Sequence, residues 1–272
     1  QLKDSLDDAE NNIDDLEDNL GDLRDARGKL GTAKDQAQAG LDAATDAYYN
    51  QKTDLEKKMT DINGIFSFCE AVGTAAFAVS GAMVAVDRGT DIFGVLLMAV
   101  FTALGGGTLR DVLIGYFPPR MFTNFHYVLL ACLCALVVFV IARVYKERYV
   151  AREKMIEQIN NVFDAVGLGV FAVSGARIGM EAGFADNMFL TTFLGATTAI
   201  GGGMLRDVLL REMPFVLKKR VYAVAAILGA LGYALLLRAG VGEIMAYGLG
   251  MIITTAVRIL ATVFKWNLPK AI

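Results

Sequence analysis

One histidine, His126, has to serve all 272 residues. That scarcity removes any histidine-based metal cluster and leaves Ser-His chemistry a single candidate base. Cysteine is nearly as rare. Cys69, Cys132 and Cys134 all stand in apolar runs, which argues against an extracellular disulfide framework and for small buried hydrophobes. Also missing are a Gly-x-Ser-x-Gly elbow around Ser80 or Ser174, a Gly-x-x-x-x-Gly-Lys phosphate loop, and any paired Cys and His set. No catalytic residue, metal site or cofactor is therefore expected, and the chain is not read as an enzyme. The first residues lack the charged and apolar regions of a secretory signal.

What the chain does have is apolar sequence. Hydrophobic residues fill 55% of it and the mean hydropathy is +0.45, which favours a membrane protein over a soluble domain. Charge divides it into two modules. Residues 1–58 hold 15 Asp and Glu against 8 Lys and Arg, a net −7, while the remainder is net +4.

In the first module Leu6, Ala9, Ile13, Leu16, Leu20, Leu23 and Leu30 recur at alternating spacings of three and four, the seam of a coiled coil. Gly28 and Gly31 suit a helix stop, with Thr32 capping a second helix three residues before Asp35. This predicts an acidic antiparallel hairpin over 1–58, with one long helix as the alternative. Met59, after Lys57-Lys58, resembles a native start behind an appended segment; a native sensor or assembly coil is the rival reading.

The second module, 59–272, contains seven apolar spans near 65–86, 92–116, 126–145, 160–180, 187–210, 220–238 and 243–264, each close to the ~20 residues that cross a bilayer. Arg143, Lys146, Arg148, Arg152 and Lys154 follow the third span, Lys218, Lys219 and Arg220 the fifth, and Lys265 and Lys270 the last. All fall on one side of a seven-span protein, which is then cytoplasmic. The C-terminus is expected inside, the N-terminus outside, and Tyr145, Tyr149 and Trp266 near the cytoplasmic headgroups.

The spans contain a duplication. Phe77-Ala78-Val79-Ser80-Gly81-Ala82 returns unchanged as Phe171-Ala172-Val173-Ser174-Gly175-Ala176. Glu70-Ala71-Val72-Gly73 answers Asp164-Ala165-Val166-Gly167. Gly105-Gly106-Gly107-Thr108-Leu109-Arg110-Asp111-Val112-Leu113 answers Gly201-Gly202-Gly203-Met204-Leu205-Arg206-Asp207-Val208-Leu209. Repeat one covers about 64–145, repeat two about 158–238, and the helix near 243–264 has no partner. Three spans per repeat is an odd number, so the copies must cross the membrane in opposite senses. Such inverted repeats tend to carry their site near the midplane.

The glycine triplets are expected to interrupt the second and fifth spans. Three glycines cost roughly 1 kcal/mol each in a helix interior, and a break would leave carbonyls suited to a partly dehydrated cation. Close helix packing through small residues is the competing reading. Arg110 and Asp111 lie about 100° apart around a helix and should seek other partners, as should Arg206 and Asp207. These charges are expected toward the two mouths, Arg110 outside and Arg206 cytoplasmic, or else as a structural ion pair locking the repeats. Ser80 and Ser174 either face a pore or bond across helices, and Glu70 and Asp164 read as solvated or pairing residues near span ends.

At these residues the chain resembles the bacterial membrane proteins with a duplicated glycine-transporter domain, relatives of the trimeric intracellular cation (TRIC) channels. A Ser-Gly-Ala span followed by Gly-Gly-Gly-x-hydrophobic-Arg-Asp-Val-Leu and then proline occurs twice, with Phe117-Pro118-Pro119 after the first copy and Met213-Pro214 after the second. The likeness covers about residues 60–268. It implies an all-α protomer of seven transmembrane helices, assembled as a homotrimer in the bacterial inner membrane with a pore inside each protomer. The implied pore residues are Gly105, Gly106, Gly107, Gly201, Gly202 and Gly203, with Ser80, Gly81, Ser174 and Gly175 beside them. Two functions are compatible: a potassium-permeable monovalent cation channel, or a carrier of glycine or another small amino acid. The expected partners are the bilayer, further copies of the chain and the transported species; nucleic acid is not among them.

Overall fold

A computed structural model of the chain describes residues 2–145, 152–218 and 221–266. Lys146, Arg148, Tyr149, Lys219, Arg220 and Lys270, used above for orientation or headgroup contacts, lie outside them. The described residues fold as helices without strands, in two compact units, Gln1–Asp61 and Ile62–Ile272.

The first unit contains no hairpin. Helix α1 runs from Leu2 to Asp87 without a turn. A lone glycine weakens a helix by about 1 kcal/mol without ending it, and Gly28 and Gly31 are spaced among good helix formers. Thr32 is no cap either: its hydroxyl donates to the carbonyls of Lys29 (2.9 Å) and Gly28 (3.3 Å), the back-bonding of a helix interior. The Leu6 to Leu30 seam is exposed on this helix.

The second unit comprises the rest of α1 with α2 (Ile92–Leu113), α3 (Phe125–Val144), α4 (Glu153–Gly179), α5 (Met188–Leu209), α6 (Tyr222–Arg238) and α7 (Glu243–Val263). Six of the seven are long and apolar enough to cross a membrane; α6, at 17 residues, is apolar but shorter. One-turn helices, Arg120–Thr123 and Phe215–Lys218, follow α2 and α5.

The duplication is visible in local detail. Both α2 and α5 have 22 residues, and each begins at a side-chain cap: Asp91 accepts from the Gly94 N–H at 2.8 Å and Asn187 from the Leu190 N–H at 3.0 Å. Just beyond their ends, Gly115 and Arg211 both take left-handed φ, 74° and 57°. The equivalent rings of Phe77 and Phe171 stack on each other with centroids 5.4 Å apart, as residues beside a two-fold axis relating the repeats must.

Alanine and glycine dominate the interior. Ala78, Ala82, Ala99, Ala172, Ala199 and Ala226 are all fully buried. Lipid offers helices no hydrophobic gain for associating, so close approach of small residues carries the packing. Helix α7 packs on α4 and α6 of repeat two, where a Cβ on Gly169 would strike Thr255 and one on Gly229 would strike Thr254, and its Tyr247 ring also lies 4.8 Å from Phe66 of repeat one.

Candidate functional site

Helices α2 and α5 meet at the glycine triplets, and they are not broken there. Both remain helical through all three glycines, so the expected interruption is corrected. A Cβ on Gly106 would land on the Thr198 carbonyl oxygen, and one on Gly202 on the Thr102 carbonyl oxygen, far inside the 3.0 Å that real Cβ atoms keep. Gly105 faces Leu205 while Gly201 faces Leu109. Rising numbers on α2 pair with falling numbers on α5, so the helices run antiparallel and the repeats are inverted. Glycine serves here to let backbone touch backbone, and with the helical ladder intact its carbonyls are not released for an ion.

Gly81 and Gly175 complete this crossing. A Cβ on either would collide with Thr102 or Thr198 respectively, whose hydroxyls turn inward to the Met98 and Leu194 carbonyls at 2.6 Å each. The third glycine of each triplet behaves differently. A Cβ on Gly107 would sit at an ordinary 3.6 Å from Arg110, and one on Gly203 at 3.3 Å from the Tyr222 hydroxyl and 3.8 Å from Arg206.

Those last neighbours belong to two matching polar clusters, one for each repeat. In the first, Ser174 donates to Glu70 Oε1 at 2.5 Å and Tyr127 donates to Glu70 Oε2 at 3.4 Å. Arg110 meets Asp111 Oδ1 through Nε (3.0 Å) and Nη2 (2.6 Å). These groups, with Gly107, Thr108 and Thr74, border a cavity of ≈ 220 Å³. In the second cluster the Tyr222 hydroxyl donates to Asp164 Oδ1 at 3.3 Å, and Arg206 Nη1 lies 3.9 Å from the same oxygen. Arg206 also reaches Ser80 at 3.2 Å and Asp207 at 2.8 Å, with its guanidinium 4.9 Å from the Phe215 ring. Each cluster thus takes its carboxylate, tyrosine and Arg-Asp pair from one repeat and its serine from the other.

A family model described as glycine transporter matches residues 67–143 and 161–238, once for each repeat. The chain belongs to this family, the TRIC family. Its members include a membrane protein of Vibrio cholerae, 35% identical over 199 residues, 72% of this chain and 79% of that protein. The inner membrane protein YadS of Escherichia coli is 33% identical over 73% of this chain and 91% of its own. Among solved structures, a TRIC cation channel studied for conductance superimposes with a TM-score of 0.66 at 37% identity, covering 76% of this chain and 97% of its own. The trimeric intracellular cation channel orthologue of Rhodobacter sphaeroides gives 0.66 at 32% identity, covering 74% and 99%. This TRIC-family chain is accordingly a membrane protein, and its similar proteins are membrane proteins, channels among them.

Within the TRIC fold the Arg-Asp pairs correct a second expectation. Arg110 and Asp111 do pair with each other, as do Arg206 and Asp207. An angular offset of 100° separates Cβ atoms, and a guanidinium on its long stem folds back across it. The second aspartate oxygen caps the next short helix: Asp111 Oδ2 accepts from the Arg120 N–H at 2.9 Å, and Asp207 Oδ2 from the Phe215 N–H at 2.8 Å. The proline preceding each of those residues sets the turn that aims the amide. Neither arginine stands at an exposed mouth. Arg206 is completely buried and Arg110 is 5% exposed, open only to the cavity.

Sequence reasoning missed Tyr127 and Tyr222; of its two readings of Glu70 and Asp164 near span ends, solvated or pairing, the structure shows both residues with partners. The tyrosines are 95 positions apart, between the offsets of 94 and 96 set by the two motifs, and they open a run in which Ala131, Leu133, Ala135 and Leu136 also recur, as Ala226, Leu228, Ala230 and Leu231. Arg258 of α7 was missed because no repeat partner draws attention to it. His126, ringed against Phe125 at 4.3 Å, is exposed and outside both clusters.

Proposed function

We propose that this chain is a potassium-permeable monovalent cation channel of TRIC type, working as a homotrimer with one path inside each protomer. The observation that carries it is the cavity beside Arg110, where the Glu70 and Asp111 carboxylates and the hydroxyls of Ser174, Thr108 and Tyr127 converge inside a bundle of apolar helices. Polar groups at membrane depth are expensive and mark ion or substrate pathways. The likeness to TRIC cation channel structures supports the same reading.

In this proposal Glu70, Ser174, Gly107, Arg110 and Asp111 line the first half of the path, and Asp164, Ser80, Gly203, Arg206 and Asp207 the second. Gly81, Gly105, Gly106, Gly175, Gly201 and Gly202 hold the crossing between the halves. A cation entering the first cavity exchanges part of its hydration for carboxylate and hydroxyl oxygens, while the Arg110-Asp111 pair keeps the local charge from trapping it. The placement in the bacterial inner membrane has the N-terminus outside and the C-terminus cytoplasmic, by the distribution of basic residues.

The second reading, a carrier for glycine or another small amino acid, is favoured by the same cavity, since Arg110 suits a carboxylate and Glu70 an ammonium group. Proteoliposomes distinguish the two. Potassium flux under a clamped potential, indifferent to glycine, is expected; saturable glycine uptake without potassium current would sink the channel. Residues 1–58 take no part in this mechanism. Their deletion is expected to leave potassium flux at the wild-type level, and lost flux would make the acidic helix part of the machinery.

A further inference from the structure

The two polar clusters are built from corresponding residues, with Glu70 in one where Asp164 stands in the other, and they differ in state. The first borders an open cavity, and its carboxylate, Glu70, is held by Ser174 and Tyr127 rather than by Arg110. In the second, the equivalent Asp164, Ser80, Tyr222, Arg206 and Asp207 have closed on one another, all 2% exposed or less. The serines, arginines, aspartates and tyrosines match one for one, while Glu70 is one methylene longer than Asp164 and Thr108 answers Met204. Helix α7, which packs on α4 and α6 of repeat two and reaches repeat one at Phe66, has no counterpart in the duplication.

Helix α7 brings one charge to that place. Arg258 is 2% exposed, and its guanidinium lies 5.0 Å from the centre of the Tyr222 ring, the tyrosine that bonds Asp164. Nη1 donates to Thr262 at 3.0 Å. Among the described residues its Nε and Nη2 have no hydrogen-bond partner, nor has Nη2 of Arg206. A buried guanidinium with two donors that no described side chain takes up is costly, and the cation-π contact offsets only part of that cost.

We propose that Arg258 of the unduplicated seventh helix latches the second cluster shut by pressing Tyr222 onto Asp164, and that opening of this half requires the guanidinium to withdraw. This rests on reading the clusters as two halves of one path, but the test does not depend on what crosses.

Ala103 lines the first cavity, and Ala199 is its counterpart in the second repeat. In a full-length chain whose three cysteines are replaced by alanine, Ala103→Cys and Ala199→Cys are exposed in detergent, where both membrane faces are reachable, to a water-soluble thiol reagent. Rapid labelling at 103 and protection at 199 are expected. Arg258→Gln is expected to speed labelling at 199 by about tenfold while leaving 103 unchanged, and Arg258→Lys to restore most of the protection. Unchanged protection at 199 in a correctly assembled Arg258→Gln protein overturns the latch. If that variant does not assemble, Thr262→Val, which removes only the anchor of Nη1, is expected to raise labelling at 199 in the same direction, and no change there overturns the proposal equally. Absence of potassium flux in the unmodified chain would instead overturn the channel reading and leave the labelling outcome standing.

Discussion

Replacing Gly106 or Gly202 with alanine is expected to prevent the membrane domain from folding, or to lower its stability in detergent by about 3 kcal/mol or more, the upper end for overpacking a core. The added methyl would occupy the position of the Thr198 or Thr102 carbonyl oxygen. These are backbone atoms of a helix already held by Gly81 and Gly175 on the other side, so no side-chain rotation can make room. Gly107→Ala supplies the contrast, because its methyl would meet only the flexible end of Arg110 at 3.6 Å. It is expected to fold with near-wild-type stability. Thermal unfolding of the three purified variants tests the pattern, and a stable Gly106→Ala protein would show that the close α2-α5 crossing is wrong.

Asp207→Asn is expected to cost about 3 kcal/mol, comparable to breaking a buried ion pair. Asp207 uses both oxygens at once, Oδ1 for the Arg206 guanidinium and Oδ2 for the Phe215 N–H. Asparagine has one acceptor and must turn its NH2 toward one of these donors, leaving a buried donor facing another. Asp111→Asn repeats the chemistry beside a cavity, where water can take over the missing bond, so its loss should be smaller. Measuring both melting temperatures in one detergent gives the comparison; equal losses would mean that the two clusters are equally dry and would count against the open and shut assignment.

Much of this was legible before folding. Apolar run lengths marked the spans, and the six-residue identity at Ser80 and Ser174 marked the duplication. The odd number of spans per repeat required inversion, which the antiparallel contacts of Gly105 with Leu205 and Gly201 with Leu109 display. The failures have a common cause. A glycine triplet permits a helix to break and equally permits a second helix to come close, and only the Thr102 and Thr198 carbonyls lying against it select the second. An Arg-Asp dipeptide can splay or fold back, and the Arg120 and Phe215 amides, delivered by loops after the prolines, hold the aspartate where folding back is favoured. Gly28 and Gly31 invited a turn, but a turn in that segment would need something to pack against, and among the described residues a Cβ on either glycine would meet nothing within 4 Å.

The sequence by itself determined the solvent, the duplication and the inverted sense of the two halves, because these follow from hydrophobic length and from parity, which no packing can alter. Tertiary structure decided which carboxylate meets which arginine, why the glycines are needed, and that one of two matched clusters stands open while the other is shut. Those outcomes depend on contacts between residues far apart in the chain, across the repeats, and the order of residues carries no record of which of them meet.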